Sequence, residues 1–315
     1  MPDAVVHDWA RPALILVATD LSDLDRLMPH ALEQAAASGA RLMLLHALAA
    51  TSVISADAAG LPYYDVAGAL EIADKMLQPW CDMAHQRGIR CEAIVREGHA
   101  THEIAIAIRQ FHADRIIVGT RSHSKLGRLL VGSVAEQVLR SVNLPVITVG
   151  PEAHLQEASS PEERIVLFAT ALRETSRPSA VLACRIAAVQ KARLALLHVL
   201  PPLDETARKN MPSGFESVAL RELRQLADDA GARCDITVDP VVVHGNPSIE
   251  ILAEAAARRA SLIILGATQR SAFENLTRDR TVYRVLAHAR CPVLTLREPQ
   301  PVPPELRAEV VGAHH

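Results

Sequence analysis

Three glycines and three cations share one short stretch of this chain, with no acidic residue among them. From Val118 the sequence runs Gly119-Thr120-Arg121-Ser122-His123-Ser124-Lys125-Leu126-Gly127-Arg128-Leu129-Leu130-Val131-Gly132-Ser133. Ahead of it, Asp114-Arg115-Ile116-Ile117-Val118 reads as a buried parallel strand. Behind it, Val134-Ala135-Glu136-Gln137-Val138-Leu139-Arg140 has the apolar spacing of a helix. A strand, a glycine-punctuated polar loop and a Gly-Ser pair opening a helix together aim backbone N–H groups at an anion, phosphate above all. Arg121, Lys125 and Arg128 add positive charge to the same loop. The competing reading is an ordinary solvated loop.

Other candidates for chemistry carry less. Asp20 directly follows a strand, where it can serve a ligand or merely neighbour a helix cap. His99 and His102 have the spacing that shares one helix face, and His112 and His123 follow. No cysteine or third histidine stands at a telling zinc-ligand spacing beside them, so no metal ligand is assigned. Paired carboxylates, a Ser-His-Asp order and an activated cysteine are all missing, so no catalytic residue is assigned either. The five cysteines, Cys81, Cys91, Cys184, Cys234 and Cys291, are odd in number and form no C-x-x-C. They read as small core hydrophobes of a reducing compartment.

The elements that must hold these residues follow from the apolar runs. Ala13 to Ala18 is a buried strand ending at Thr19-Asp20, Ser22 or Asp23 can cap the next helix, and Gly39 stops it. Arg41 to Leu48 is a second strand, residues 50 to 64 a loop, and about Asp65 to Gln86 a long helix containing Pro79. Ile89 to Val95 is a third strand, Gly98-His99-Ala100-Thr101 leads into a helix, and Pro145 to Val149 closes the unit. Strands alternating with helices imply a parallel sheet with right-handed crossovers. A core of Ala, Leu, Val and Ile, with only 3% aromatic residues, suits that packing.

The pattern then repeats. Ile165 to Thr170 matches the first strand at an offset of 151 residues, and Leu196 to Leu200 matches Leu44 to Leu48 at 152. Gly245 to Ile251, Leu262 to Gly266 and Cys291 to Leu296 match Gly98 to Ile104, Arg115 to Gly119 and Leu144 to Val149 at 147. An internal duplication accounts for this. It divides the 315 residues into domains at 11–150 and 164–298, a linker at 151–163 and a flexible tail at 299–315. His46 and His198 occupy the same place in both copies, which favours packing or hydrogen bonding over catalysis. A net charge of −3 gives no basis for nucleic-acid or anionic-membrane partners. Residues 1 to 12 show no leader and no run reaches transmembrane length, so the expected location is the cytoplasm.

The repeat resembles the universal stress protein family in its tandem two-domain form. Thr19-Asp20, Leu44-Leu45-His46, Gly98, the central loop and Leu144-Pro145-Val146 carry the resemblance. Nucleotide-binding members share G-x2-G-x9-G-[ST]; here Gly119, Ser122, Gly132 and Ser133 hold those positions, with serine for the second glycine. The resemblance implies an α/β fold of two Rossmann-like domains, of the adenine nucleotide alpha hydrolase-like kind. Each would be a five-stranded parallel sheet with helices on both faces, and the two would pair as an intramolecular pseudo-dimer through Val146–Val149 and Val293–Leu296. It further implies ATP with Mg2+ in the first domain. Asp20 would lie beside the ribose and metal-bound phosphates, the Ala47 backbone at the adenine edge, and Val118 and Gly119 along the ribose. Arg121 and Ser122 would approach the phosphates, and Gly132, Ser133 and Val134 would cradle them. In the second copy Asp20 becomes Ala171, Ser122 becomes Gln269, and Gly132-Ser133 becomes Asp279-Arg280, a change that puts a carboxylate and bulk where phosphate should sit. That domain is expected to be structural. The implied role is a stress-response regulator with unidentified protein partners and scope for homodimers. A nucleotide-independent scaffold and a slow ATP hydrolase or self-phosphorylating protein of the same fold are the alternatives.

Overall fold

The computed structural model describes residues 8–49, 54–56, 62–120, 131–155, 163–173, 176–202, 215–268 and 280–298. The first half runs β1 (Leu14–Thr19), α1 (Leu24–Ser38), β2 (Arg41–Leu48), β3 (Ile54–Ala56), β4 (Pro62–Tyr64), α2 (Val66–Gln86), β5 (Cys91–Glu97), α3 (Ala100–Phe111), β6 (Arg115–Gly119), α4 (Ser133–Ser141) and β7 (Val146–Val149). The second runs β8 (Ile165–Ala169), α5 (Ser176–Val189), β9 (Arg193–Leu200), α6 (Phe215–Cys234), β10 (Val238–His244), α7 (Pro247–Ala257), β11 (Leu262–Thr268), α8 (Arg280–His288) and β12 (Val293–Glu298).

Ten strands form one sheet in the order β10-β9-β8-β11-β12-β7-β6-β1-β2-β5. Each half is parallel throughout, and the halves join where β12 runs antiparallel to β7, with Val293 opposite Thr148, Leu294 opposite Ile147 and Thr295 opposite Val146. These are the strands expected to meet. The pleat sends alternate residues to opposite faces. Ile15, Val17, Leu42, Leu44 and Ile117 pack with Leu27 and Met28 of α1 and Leu77 and Cys81 of α2. Leu14, Leu16, Met43, Leu45 and Val118 pack with Ile104 of α3 and Val138 and Leu139 of α4. The second half repeats this, α5 and α6 on the first face and α7 and α8 on the other. Both cores therefore cross the joint between the halves.

Polar contacts reinforce that joint. Thr148 Oγ1 donates to the Val293 carbonyl at 3.2 Å. Arg297 reaches from β12 to Asn143 Oδ1 at 2.8 Å and to the Leu139 and Arg140 carbonyls, which are orphan acceptors at the end of α4. Fully buried Arg115 donates to Gln34 Oε1 at 2.8 Å and to the Trp9 carbonyl at 2.7 Å, and Gln190 of the second half reaches the same Gln34 oxygen at 3.3 Å. Arg164 and Glu33 pair across the halves at 3.3 Å.

Two local expectations change. Within the stretch 50 to 64, β3 and β4 pair antiparallel with Ile54 opposite Tyr64, where a loop was expected. Pro62 begins β4, a place where its missing N–H breaks no ladder. Asp23 does hold the N-cap position of α1, but its side chain makes no capping bond. Gly39 ends that helix as expected, at φ 75°. The second half of the linker, the tail and the loop 269–279 lie outside the described residues.

Candidate functional site

The chain leaves β1 in both directions: β2 lies on one side of it and β6 on the other, with α1 and α4 on opposite faces of the sheet. Such a switch point opens a crevice beyond the carboxyl ends of the strands. Here it is a cavity of about 540 Å³, within the span of small-molecule sites. Asp20, Ala47, Val118, Gly119, Gly132, Ser133 and Val134 all line it. They arrive from three strand ends and one helix start. Arg121 and Ser122, with Lys125 and Arg128, fall outside the described residues.

The first turn of α4 forms one wall. Gly132 is its N-cap, extended at φ −61° and ψ 149°, and without a side-chain capping bond. The leading N–H groups of the helix thus keep the partial positive charge that attracts anions. A second helix start faces the same cavity. Gly98, His99 and Ala100 also line it, and His99, the N-cap of α3, makes no capping bond either. Its Nδ1 lies 3.2 Å from Thr101 Oγ1 instead.

The floor is set by the β1 end. Asp20 Oδ1 accepts from the Ser22 amide at 3.0 Å and from the Ser22 hydroxyl at 2.6 Å, an Asx turn that fixes the carboxylate at the rim. Leu21 is held at φ 74° with its N–H donating to Thr19 Oγ1 at 2.9 Å. Thr19 Oγ1 in turn donates to Asp23 Oδ1 at 2.6 Å. Burial pushes the Asp23 carboxyl above its ordinary value, the Thr19 bond opposes this, and the nearby Asp20 charge adds to the rise. Gly119 leaves the space that Asp23 occupies, since a Cβ there would sit 2.2 Å from Asp23 Oδ2. Arg26 then ties α1 to the end of β6 through a 3.3 Å bond to the Thr120 carbonyl.

Asp23 and the Gly98–Ala100 turn were missed as parts of the site. Asp23 reads as a cap, and the turn follows β5, which lies three places from β6 in the sheet although it is the strand directly before β6 in the chain. The rule that loops at one end of a parallel sheet share a crevice is the signal that finds them. His46 Nδ1 contacts the Thr19 carbonyl at 3.0 Å, and His198 Nδ1 contacts the Thr170 carbonyl at 2.9 Å. The pair pins the same turn in both copies, as the positive φ of Leu21 and Leu172 also shows. His102 contacts buried Glu103 at 3.1 Å, and no cluster of three metal-ligating side chains occurs among the described residues.

The second copy differs where ligand would sit. Ala171 has no carboxylate, and α8 opens on Arg280 where α4 opens on Ser133. Asn246, the counterpart of His99, caps α7 itself by accepting from the Ser248 amide at 3.1 Å. That helix start is already satisfied.

Comparison with known proteins agrees with the duplicated fold. The model of the Universal stress protein family matches twice, at residues 14–150 and 163–297. A universal stress protein of Mycolicibacterium smegmatis is 25% identical over 303 residues, covering 90% of this chain and 96% of its own. The universal stress protein YxiE of Bacillus subtilis is 28% identical over 143 residues, 43% of this chain and 97% of its own length. The crystal structure of a universal stress protein from Archaeoglobus fulgidus superposes with a TM-score of 0.69 at 22% identity, covering 93% of this chain and 98% of that one.

Proposed function

The chain belongs to the universal stress protein family, and we propose that it is a regulatory protein whose first half binds ATP or a related adenine nucleotide while the second half is structural. One observation carries this reading: two uncapped helix starts, α3 and α4, converge on a single cavity at the switch point of the first sheet. Helix starts whose N-cap residues make no side-chain capping bond favour a phosphate chain. In the second half the start of α7 is closed by its own Asn246.

In this reading Gly132, Ser133 and Val134 cradle phosphate, Arg121 and Ser122 approach it from the loop, and Val118 and Gly119 flank the ribose. Ala47 offers backbone to the base. Mg2+ would arrive with the phosphates, since Mg2+ commonly takes one or two protein carboxylates and fills its shell with phosphate oxygens and water. Asp20, held at the rim by Ser22, is the carboxylate that fits. The domains run 11–150 and 164–298, joined by 151–163 and followed by a tail. Protein partners would then read the nucleotide state, and the free cysteines suit a cytoplasmic setting.

A thermal-denaturation panel tests the proposal with MgATP, MgADP, AMP and MgGTP. Ligand at about 100 times its Kd stabilises a binding-competent fold by about 2.7 kcal/mol. An upward shift with adenine nucleotides that Asp20→Ala and Gly132→Asp both lessen supports the proposal. Identical melting in all four at millimolar concentration refutes it and favours a nucleotide-independent scaffold.

A further inference from the structure

Cys81 and Cys91 meet in space although nothing in their sequence spacing marks them as a pair. Cys81 lies in the last third of α2, and Cys91 opens β5, the outermost strand of the first half. Their Sγ atoms are 3.0 Å apart. A disulfide bond is about 2.05 Å long, so a relative shift of about 1 Å brings the sulfurs to bonding distance. The backbone holds them there. Gly88 turns the chain at φ 74°, the Gly88 amide donates to the His85 carbonyl at 2.9 Å, and the Ile89 amide donates to the Ala84 carbonyl at 2.9 Å. Helix end and strand start are thus returned onto each other.

The two sulfurs are chemically unequal. A hydrogen bond from Cys91 draws the Cys81 thiol below its ordinary value, whereas that bond and burial push Cys91 up. Either sulfur can donate in the shared contact, and burial with the Asp82, Asp74 and Glu92 charges opposes the lowering at Cys81. Cys81 is assigned as the attacking sulfur and Cys91 as its resolving partner. Both side chains are buried, at 3% and 4% exposure, yet they lie directly under the surface. Exposed His85 lies over the pair, its Nε2 accepting the Cys91 amide at 3.3 Å, and among the described residues β5 pairs with β2 alone. Burial pushes the Cys184 and Cys291 thiols each up to about 12, while Cys234 is half-buried beside Cys184.

We infer that Cys81 and Cys91 form a redox-modification site, closing reversibly into an intrachain disulfide when the folded protein meets a small hydroperoxide. The Cys81 thiolate attacks one peroxide oxygen, the O–O bond breaks, and hydroxide leaves to take up a proton as water. The Cys91 sulfur then displaces the sulfenic hydroxyl, which departs with the Cys91 proton as a second water while the S–S bond forms. Two thiols lose two electrons and one hydrogen peroxide becomes two waters. An external dithiol reverses the bond by exchange. The link would clamp the end of α2 to the strand that delivers Gly98 and His99 to the cavity.

The test uses the full-length folded protein, treated with hydrogen peroxide, then unfolded and alkylated, and mapped by peptide mass. Cys81 and Cys91 should escape alkylation together, in a linked species about 2 Da lighter than the reduced one. Dithiothreitol should restore both, and their loss should run at least about tenfold ahead of Cys184 and Cys291. In Cys91→Ser, Cys81 should be trapped by dimedone as the sulfenic acid. Full alkylation of Cys81 and Cys91 after another thiol has reacted overturns the inference. Conversion of Cys81 to sulfinic acid without any linked species overturns it equally.

Discussion

The floor of the cavity makes a quantitative prediction at Gly119. Its φ is not in the left-handed region, so replacement by alanine adds no backbone strain and the effect is steric. The new Cβ would sit 2.2 Å from Asp23 Oδ2, 3.0 Å from Arg26 Nη2 and 3.2 Å from Asp23 Cγ. The carboxyl must swing away by about 1 Å, past ordinary contact distance. In doing so it breaks the 2.6 Å bond from Thr19 Oγ1. A hydrogen bond to a charged group contributes about 1.5–3 kcal/mol, so Gly119→Ala should destabilise the protein by about 2 kcal/mol. Asp23→Ala loses the same bond but removes the carboxyl that the methyl strikes, leaving only the flexible end of Arg26 at 3.0 Å. The double variant should therefore be about as stable as Asp23→Ala alone, with a coupling of about 2 kcal/mol. Urea denaturation of the four proteins reads this as midpoints at constant slope. If Gly119→Ala lies within about 0.5 kcal/mol of the wild type, or if the two costs simply add, the described floor is wrong.

Three further outcomes follow from the same geometry. His30 is 3% exposed, and burial, with the nearby His154 charge second, lowers its pKa to about 4 from 6.5. The unfolded chain binds the proton first, so stability should fall by up to about 3 kcal/mol as pH drops through that window, and His30→Leu should flatten the fall in urea titrations at each pH. Arg297→Ala strips the α4 carbonyls of their guanidinium and should cost about 1–3 kcal/mol, read by thermal or urea unfolding. His99→Asn should give α3 the cap that Asn246 gives α7 and stabilise by about 1 kcal/mol, while Asn246→Ala should cost about as much.

Much of this was legible in residues whose neighbours in sequence decide their fate. Leu14 to Ala18, with no polar residue to face water, can only be a strand covered on both sides, and Gly39 after α1 can only take the left-handed turn it shows. The β7–β12 joint was legible through the family resemblance, which implied that the two copies pair along these strands. What stayed hidden depends on contacts between distant parts of the chain. Asp23 looks like a helix cap until Gly119, 96 positions on, is seen to make room for its carboxyl. Cys81 and Cys91 look like isolated core residues until the turn at Gly88 folds one onto the other. Arg115 stands in a stretch that reads as a buried strand, but the groups that satisfy its buried guanidinium, Gln34 and the Trp9 carbonyl, lie far off in the chain. The short β3–β4 pair escaped because three residues per strand carry too little alternation to register.

Calorimetric titration of the purified chain with MgATP, alongside Gly132→Asp, addresses the central claim most directly. The substitution places a carboxylate at the uncapped start of α4, where the phosphates would lie. The account predicts one nucleotide per chain for the wild type and none for the variant, with the variant's unfolding still cooperative. Two equivalent sites, binding that survives the substitution, or no heat at millimolar MgATP would contradict it.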